Sequence, residues 1–243
     1  MNLLIDLGNS RLKWAAQDAQ SWRMGALAYE DPIERAWTQA WRELRPDAVI
    51  LCSVGPEWVT DQLVAWVRVR WDLRVTRVRA QAEGYGLRNH YEEPETLGAD
   101  RWVALVAARA RYQGRLCVVD CGTAVTVDAL SETGEFLGGA ILPGFAAMRR
   151  GLNVCIPSLP ATGGRDDDCL ARTTADGVAT GTHYAVVGAV ERLLEEYERT
   201  LGAPLPVVLT GGDAGLLVPD LRYAVTEVPD LVLRGLALMA GWC

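Results

Sequence analysis

Residues 3–15 read LLIDLGNSRLKWA, and residues 117–129 read CVVDCGTAVTVDA. Aligned without a gap, Asp6 falls on Asp120, Gly8 on Gly122 and Asn9 on Thr123. Each stretch is an apolar run, an acidic turn and a second strand-like run, and each precedes a third strand and helices. Two such units predict a duplicated α/β chain with a cleft between its halves, residues 1–114 and 115–243.

The rest of the chain fits that plan. Periodicity predicts strands at 2–7, 11–16, 21–27, 48–53 and 73–79, and helices from Pro32 to Leu44 and after Pro56. Residues 68–79 (RVRWDLRVTRVR) alternate as a strand with a wet face does, and 80–97 read as a long polar loop of the kind that carries function. A helix follows from Gly98 to Tyr112. Beyond it come strands at 116–120, 124–130 and 135–142, a helix after Pro143, and a polar stretch at 157–173. A long helix over 174–200 is followed by strands at 206–210 and 222–227, a helix at 213–218 and a last helix from Pro229.

Composition narrows the function. The net charge of −7 disfavours a broad nucleic-acid surface. Cysteines at 52, 117, 121, 155, 169 and 243 form no C-x-x-C pair, which argues against zinc or iron–sulfur sites. No stretch is apolar enough for a membrane span, so a reduced, cytoplasmic protein is expected. His90 and His183 are the only histidines, and neither a G-x-S-x-G elbow nor a Walker A sequence occurs.

A glycine turn can lay backbone N–H groups against phosphate oxygens, and Asn9, Ser10 and Thr123 add side-chain donors. Asp6 and Asp120 beside phosphate imply a cation or its hydration shell. Either turn alone reads as an ordinary hairpin; together they read as a phosphate clamp. Lys13 is the only lysine in the chain. A compact ammonium suits a moving phosphate, although arginine-rich codon usage also explains the scarcity. In LTGGDAG (209–215) a glycine pair opens a helix, where a base, a ribose or an anion can approach. Asp100, in TLGADRW (96–102), reads either as a favourable charge in a first helical turn or as a carboxylate orienting an acceptor hydroxyl. Arg101 reads as a surface cation or a carboxylate anchor.

In order, DLGNSRLKW (6–14), GLRNHYEEPETLGADR (86–101), DCGTAVTVD (120–128), GGAILPG (138–144) and TGGD (210–213) resemble the motifs of type III pantothenate kinases. That resemblance implies two RNase H-like domains of the actin-like ATPase kind, and ATP-dependent phosphorylation of pantothenate on the way to coenzyme A. It implies Asp100 as the group receiving the hydroxyl proton, with Tyr91, Gly98, Ala99 and Arg101 framing pantothenate. Asp6, Leu7, Gly8, Asn9, Ser10, Arg11, Leu12 and Lys13, with Thr123, Gly211 and Gly212, would hold ATP. Mg2+ would lie near Asp6, through water or directly, and K+ or NH4+ at Asp120. Thr174, in ARTTADGVATG (171–181), would reach pantothenate in the partner subunit of a homodimer. Ser10 replaces a commoner Thr, RTT at 172–174 a commoner Lys-Asn-Thr, and Cys121 an aliphatic residue. Residues 155–170 match little. A kinase of the same fold for another hydroxylated acceptor, and a nucleotide-binding regulator without chemistry, are the alternatives.

Overall fold

The computed structural model describes residues 1–18, 21–29 and 32–241. Cys243 therefore lies outside the described residues. The chain divides into two compact units, Met1–Gln113 with Asp230–Cys243, and Gly114–Pro229.

The first unit opens with three antiparallel strands, β1 (Asn2–Leu7), β2 (Arg11–Gln17) and β3 (Trp22–Ala28). Helix α1 (Ile33–Ala40) leads to β4 (Ala48–Ser53), which pairs parallel to β1. Helix α2 (Glu57–Trp71) then leads to β5 (Val75–Arg77), giving the sheet order β3-β2-β1-β4-β5. Every residue of β1 is buried, as expected of a central strand covered on both faces. Trp37 and Trp41 are wholly buried and parallel, with centroids 6.4 Å apart, and Trp14, Trp66 and Trp71 complete the aromatic core beside Leu3, Ile5, Leu51 and Leu63.

Two expectations change here. Residues 68–71 form the last turn of α2, not a strand, because Val67 faces the core while Arg68 and Arg70 face water. The helix stops at Asp72, whose φ of 55° is left-handed. Residues 80–97 are not a bare loop: β6 (Glu83–Gly84) and β7 (Leu87–Asn89) form a hairpin across Tyr85 and Gly86, both at positive φ, and Pro94–Thr96 make a 3-10 turn. Helix α3 (Ala99–Arg111) is buried around most of its girth from Arg101 to Ala108.

In the second unit β8 (Leu116–Cys121), β9 (Ala124–Leu130) and β10 (Glu135–Pro143) repeat the antiparallel trio. Helices α4 (Phe145–Cys155) and α5 (Thr174–Leu201) precede β11 (Val207–Thr210), which is parallel to β8. Helix α6 (Ala214–Leu217) and β12 (Val225–Glu227) complete the order β10-β9-β8-β11-β12. That is the strand order of the first unit, element for element, so the duplication lies in the topology as well as in the motif.

The expected cut assigned everything after residue 114 to the second half. Helix α7 (Leu231–Met239) belongs to the first unit instead. A side chain at Gly235 would sit 2.2 Å from the Val103 carbonyl oxygen, so this glycine lets α7 lie directly on α3.

Candidate active site

The first acidic turn is built by β1 and β2. Asp6 pairs across the strands with Lys13, which places both side chains on one face, and on its other side Asp6 pairs with Cys52 of β4. Gly8 N–H donates to the Arg11 carbonyl at 3.1 Å, leaving Asn9 and Ser10 exposed at the tip. The β4–α2 connection braces the turn: Val54 and Gly55 N–H both donate to the Leu7 carbonyl at 3.0 Å. A Cβ on Gly55 would lie 2.4 Å from the Gly8 carbonyl oxygen. The Tyr29 hydroxyl donates to that same oxygen at 2.5 Å.

The start of α3 lies close to this turn. The buried Cys52 thiol is pushed well up, first by burial and then by the negative charges of Asp6 and Asp100, so both carboxylates lie within electrostatic reach of one side chain. Asp100 itself is raised above the usual carboxylate range because burial outweighs the Arg101 backbone N–H and guanidinium that favour its charge. Its Oδ1 accepts from Arg101 N–H at 2.8 Å. Gly98 permits this fold-back, since a Cβ there would meet Asp100 Oδ1 at 2.6 Å.

Arg101 is buried, and its Nη1 donates to the Tyr91 hydroxyl at 2.8 Å, with the guanidinium carbon 5.6 Å from the Tyr91 ring centroid. A buried guanidinium needs such partners. The loop that brings Tyr91 here is pinned by Asn89: its Nδ2 donates to Pro94 O at 3.0 Å and its Oδ1 accepts from Tyr91 N–H at 3.0 Å. Gly98 and Ala99 also line a cavity of about 310 Å3 with Ser53, Val54, Leu97 and Arg79.

The second turn follows the plan of the first with one residue fewer. Cys121 pairs with Val125 and Gly122 N–H donates to Ala124 O, whereas Leu7 pairs with Leu12 and Gly8 N–H reaches Arg11 O. The register partner of Asp120 is therefore Thr126, at the place Lys13 holds opposite Asp6. Thr126 Oγ1 is buried and has no hydrogen-bond partner among the described residues.

The glycine pair stands on this turn. Gly211 has φ 103°, a side chain there would strike the Cys121 carbonyl oxygen at 2.1 Å, and Asp213 N–H donates to that oxygen at 2.9 Å. The Cys121 thiol is pushed up to about 12 by burial and by the charges of Asp213 and Asp120. Gly144, just after β10, donates to Thr123 O at 3.0 Å and leaves no room for a Cβ against Gly122 O. Thr174 opens α5 behind the Thr173 N-cap and lines an apolar cavity of about 430 Å3 with Met148, Leu152, Leu159, Val178 and Gly181.

Within the first unit Asp6, Lys13 and Asp100 thus gather around β1 and β4, and within the second Asp120, Thr123 and Gly211 gather at the end of β8. Sequence reasoning missed Tyr29, Gly55 and Thr126. Tyr29 carries no motif signal; Thr126 would have emerged had the two turns been aligned with a one-residue gap.

The chain is also similar to known proteins. The family model for type III pantothenate kinase matches residues 2–196. A type III pantothenate kinase of Nitrosococcus oceani is 40% identical, covering 99% of this chain and 94% of its own, and that of Chromobacterium violaceum is 38% identical, covering 99% and 100%. Among solved structures, the activator of 2-hydroxyisocaproyl-CoA dehydratase from Clostridium difficile with bound ADPNP superposes with a TM-score of 0.56 over 98% of this chain and 93% of its own, at 11% identity, a likeness of fold alone. The chain belongs to the type III pantothenate kinase family.

Proposed function

We propose that the chain transfers the terminal phosphoryl group of ATP to the primary hydroxyl of pantothenate, giving 4'-phosphopantothenate for coenzyme A biosynthesis. The observation that carries this reading is Asp100, a carboxylate raised by burial at the head of α3, beside the Arg101–Tyr91 pair. As the acceptor oxygen attacks phosphorus, Asp100 takes its proton; phosphoryl transfer has a loose transition state, so placing the hydroxyl counts for more than basicity. Tyr91, Gly98, Ala99 and Arg101 frame the acceptor. Residues 6–13 hold the phosphates from the first unit, and Thr123, Gly211 and Gly212 hold ATP from the second.

The donor sets suit hard cations. Mg2+ takes one or two carboxylates and draws its remaining ligands from water and phosphate, which matches the lone Asp6 at its turn. Among the described residues no group of three or more His, Cys, Asp or Glu side chains is placed to hold a metal. Asp120 and the buried Thr126 Oγ1, unpartnered among the described residues, are oxygen donors that suit a monovalent cation, K+ or NH4+. Such cations neutralise charge that accumulates on the phosphates.

Two copies of the chain form the working unit, with Thr174 reaching the partner's pantothenate. The apolar cavity at Thr174, with Val154, Ile156 and Leu170 exposed, supports a second copy as its cover. No helix among the described residues is long and apolar enough to cross a membrane, and the cytoplasm is the proposed location. The test is ADP release with Mg2+ and K+ present, with pantothenate added to a panel of other hydroxylated acids. Dependence on pantothenate is expected; turnover of another acceptor alone would overturn the assignment.

A further inference from the structure

We propose that Tyr29 is a positioning residue for the ATP phosphates, its hydroxyl fixing the Gly8–Asn9 peptide so that the Asn9 N–H points outward as a phosphate donor. The inference rests on the kinase reading and adds a residue outside every phosphate motif. A trans peptide is planar, and its C=O and N–H point in opposite directions. Tyr29 Oη binds the Gly8 carbonyl at 2.5 Å, and Gly55 lies against that carbonyl so closely that a Cβ there would be 2.4 Å away. With its C=O clamped on the protein side, the peptide can only present its N–H to the other side.

That N–H is a donor the turn has left to offer. Gly8 N–H is spent on Arg11 O, whereas Asn9 is exposed and donates to nothing else in the described chain. The Tyr29 phenol remains a donor throughout the working pH range, because burial and the Asp6 charge raise its pKa.

The second unit places backbone at the equivalent point. Gly144 follows β10 as Tyr29 follows β3, and it packs on the Gly122 carbonyl, the equivalent of Gly8. In both units the residue that leaves the third strand lies against the glycine carbonyl of the turn: Tyr29 hydrogen-bonds to Gly8 O, whereas Gly144 packs on Gly122 O and donates its N–H to the next carbonyl, Thr123 O.

Tyr29→Phe keeps the ring and removes only the hydroxyl. The Kd of a non-hydrolysable ATP analogue with Mg2+ is expected to rise roughly threefold to tenfold, the worth of one partly buried hydrogen bond. KM for ATP should rise in parallel while KM for pantothenate stays put. Unchanged nucleotide constants in the variant, or equal losses for both substrates tracking a lowered melting point, would overturn the role of Tyr29. A wild-type protein that binds the analogue but does not phosphorylate pantothenate would overturn the functional reading and leave the role of Tyr29 in nucleotide binding intact.

Discussion

Gly144→Ala tests whether the second turn must keep its observed shape. Gly144 has φ −72°, a conformation any residue adopts, so alanine brings no backbone strain of its own. The added methyl would lie 2.0 Å from Gly122 O and 2.9 Å from Thr123 O, both backbone atoms that cannot swing aside as a side chain can. Ordinary contact is near 3.4 Å, so the turn and the start of α4 must part by about 1.4 Å, which breaks the 3.0 Å bond from Gly144 N–H to Thr123 O. Overpacking of this kind costs about 1–3 kcal/mol. At about 2–4 °C per kcal/mol for a chain of this size, the melting point should fall by roughly 2–12 °C. A displacement of about 1 Å in a phosphate-positioning group costs on the order of 100-fold in rate, so kcat/KM for ATP should fall by about that factor. Calorimetry and a coupled ADP assay on the same preparation measure both. An unaltered melting point with kcat/KM within about twofold of wild type would refute the claim that Gly144 shapes the turn.

Three further substitutions probe the remaining parts. Asp100→Asn should lower the rate by roughly tenfold to ten-thousandfold, the span of a positioned acid–base group, with ATP binding retained. Because the folded pKa of Asp100 lies above its unfolded value, the native state binds more protons and wild-type stability falls as pH rises through that window; the variant should lack this slope and melt higher at neutral pH. Lys13→Met should raise KM for ATP by about tenfold or more, the worth of a bond to a charged group, and wild-type kinetics would make the lysine an accident of codon usage. Thr126→Val should abolish stabilisation by K+: a tenfold excess over half-saturation adds about 1.4 kcal/mol, or about 3–6 °C, in wild type, and an undiminished K+ shift in the variant would remove Thr126 from the cation site.

The elements were legible where the signal is local. Asp-x-Gly between apolar runs, a long helical period over 174–201 and Val-rich β11 declare themselves within a dozen residues. What escaped depends on partners distant in sequence. The β6–β7 hairpin is short and polar, with Tyr85 at a positive φ where Asn or Gly is usual, so neither period nor turn chemistry marks it. Val69 is 88% exposed between two arginines, and that R-V-R spacing fits a wet strand as well as the outer face of the α2 terminus. Helix α7 crosses back to the first unit because Gly235 admits the Val103 carbonyl, a fit no linear pattern reports. Tyr29 binds Gly8 across 21 residues.

The duplication explains the likeness of the turns and frames the different roles proposed for them. With equal strand order and equivalent glycines, the two turns differ in length by one residue and in what stands opposite the acidic residue. Opposite Asp6 stands Lys13, a cation carried by the chain; opposite Asp120 stands the neutral Thr126, and the charge of Asp213 reaches the same neighbourhood. In the second unit the charges of Asp120 and Asp213 both reach the Cys121 side chain and a neutral threonine stands opposite Asp120, so on the proposed reading a cation from solution would offset that negative potential as an anionic triphosphate approaches. On the proposed reading, the lysine behind the first turn does covalently what the second turn leaves to a cation from solution, and the loss of K+ stabilisation in Thr126→Val is the measurement that decides it.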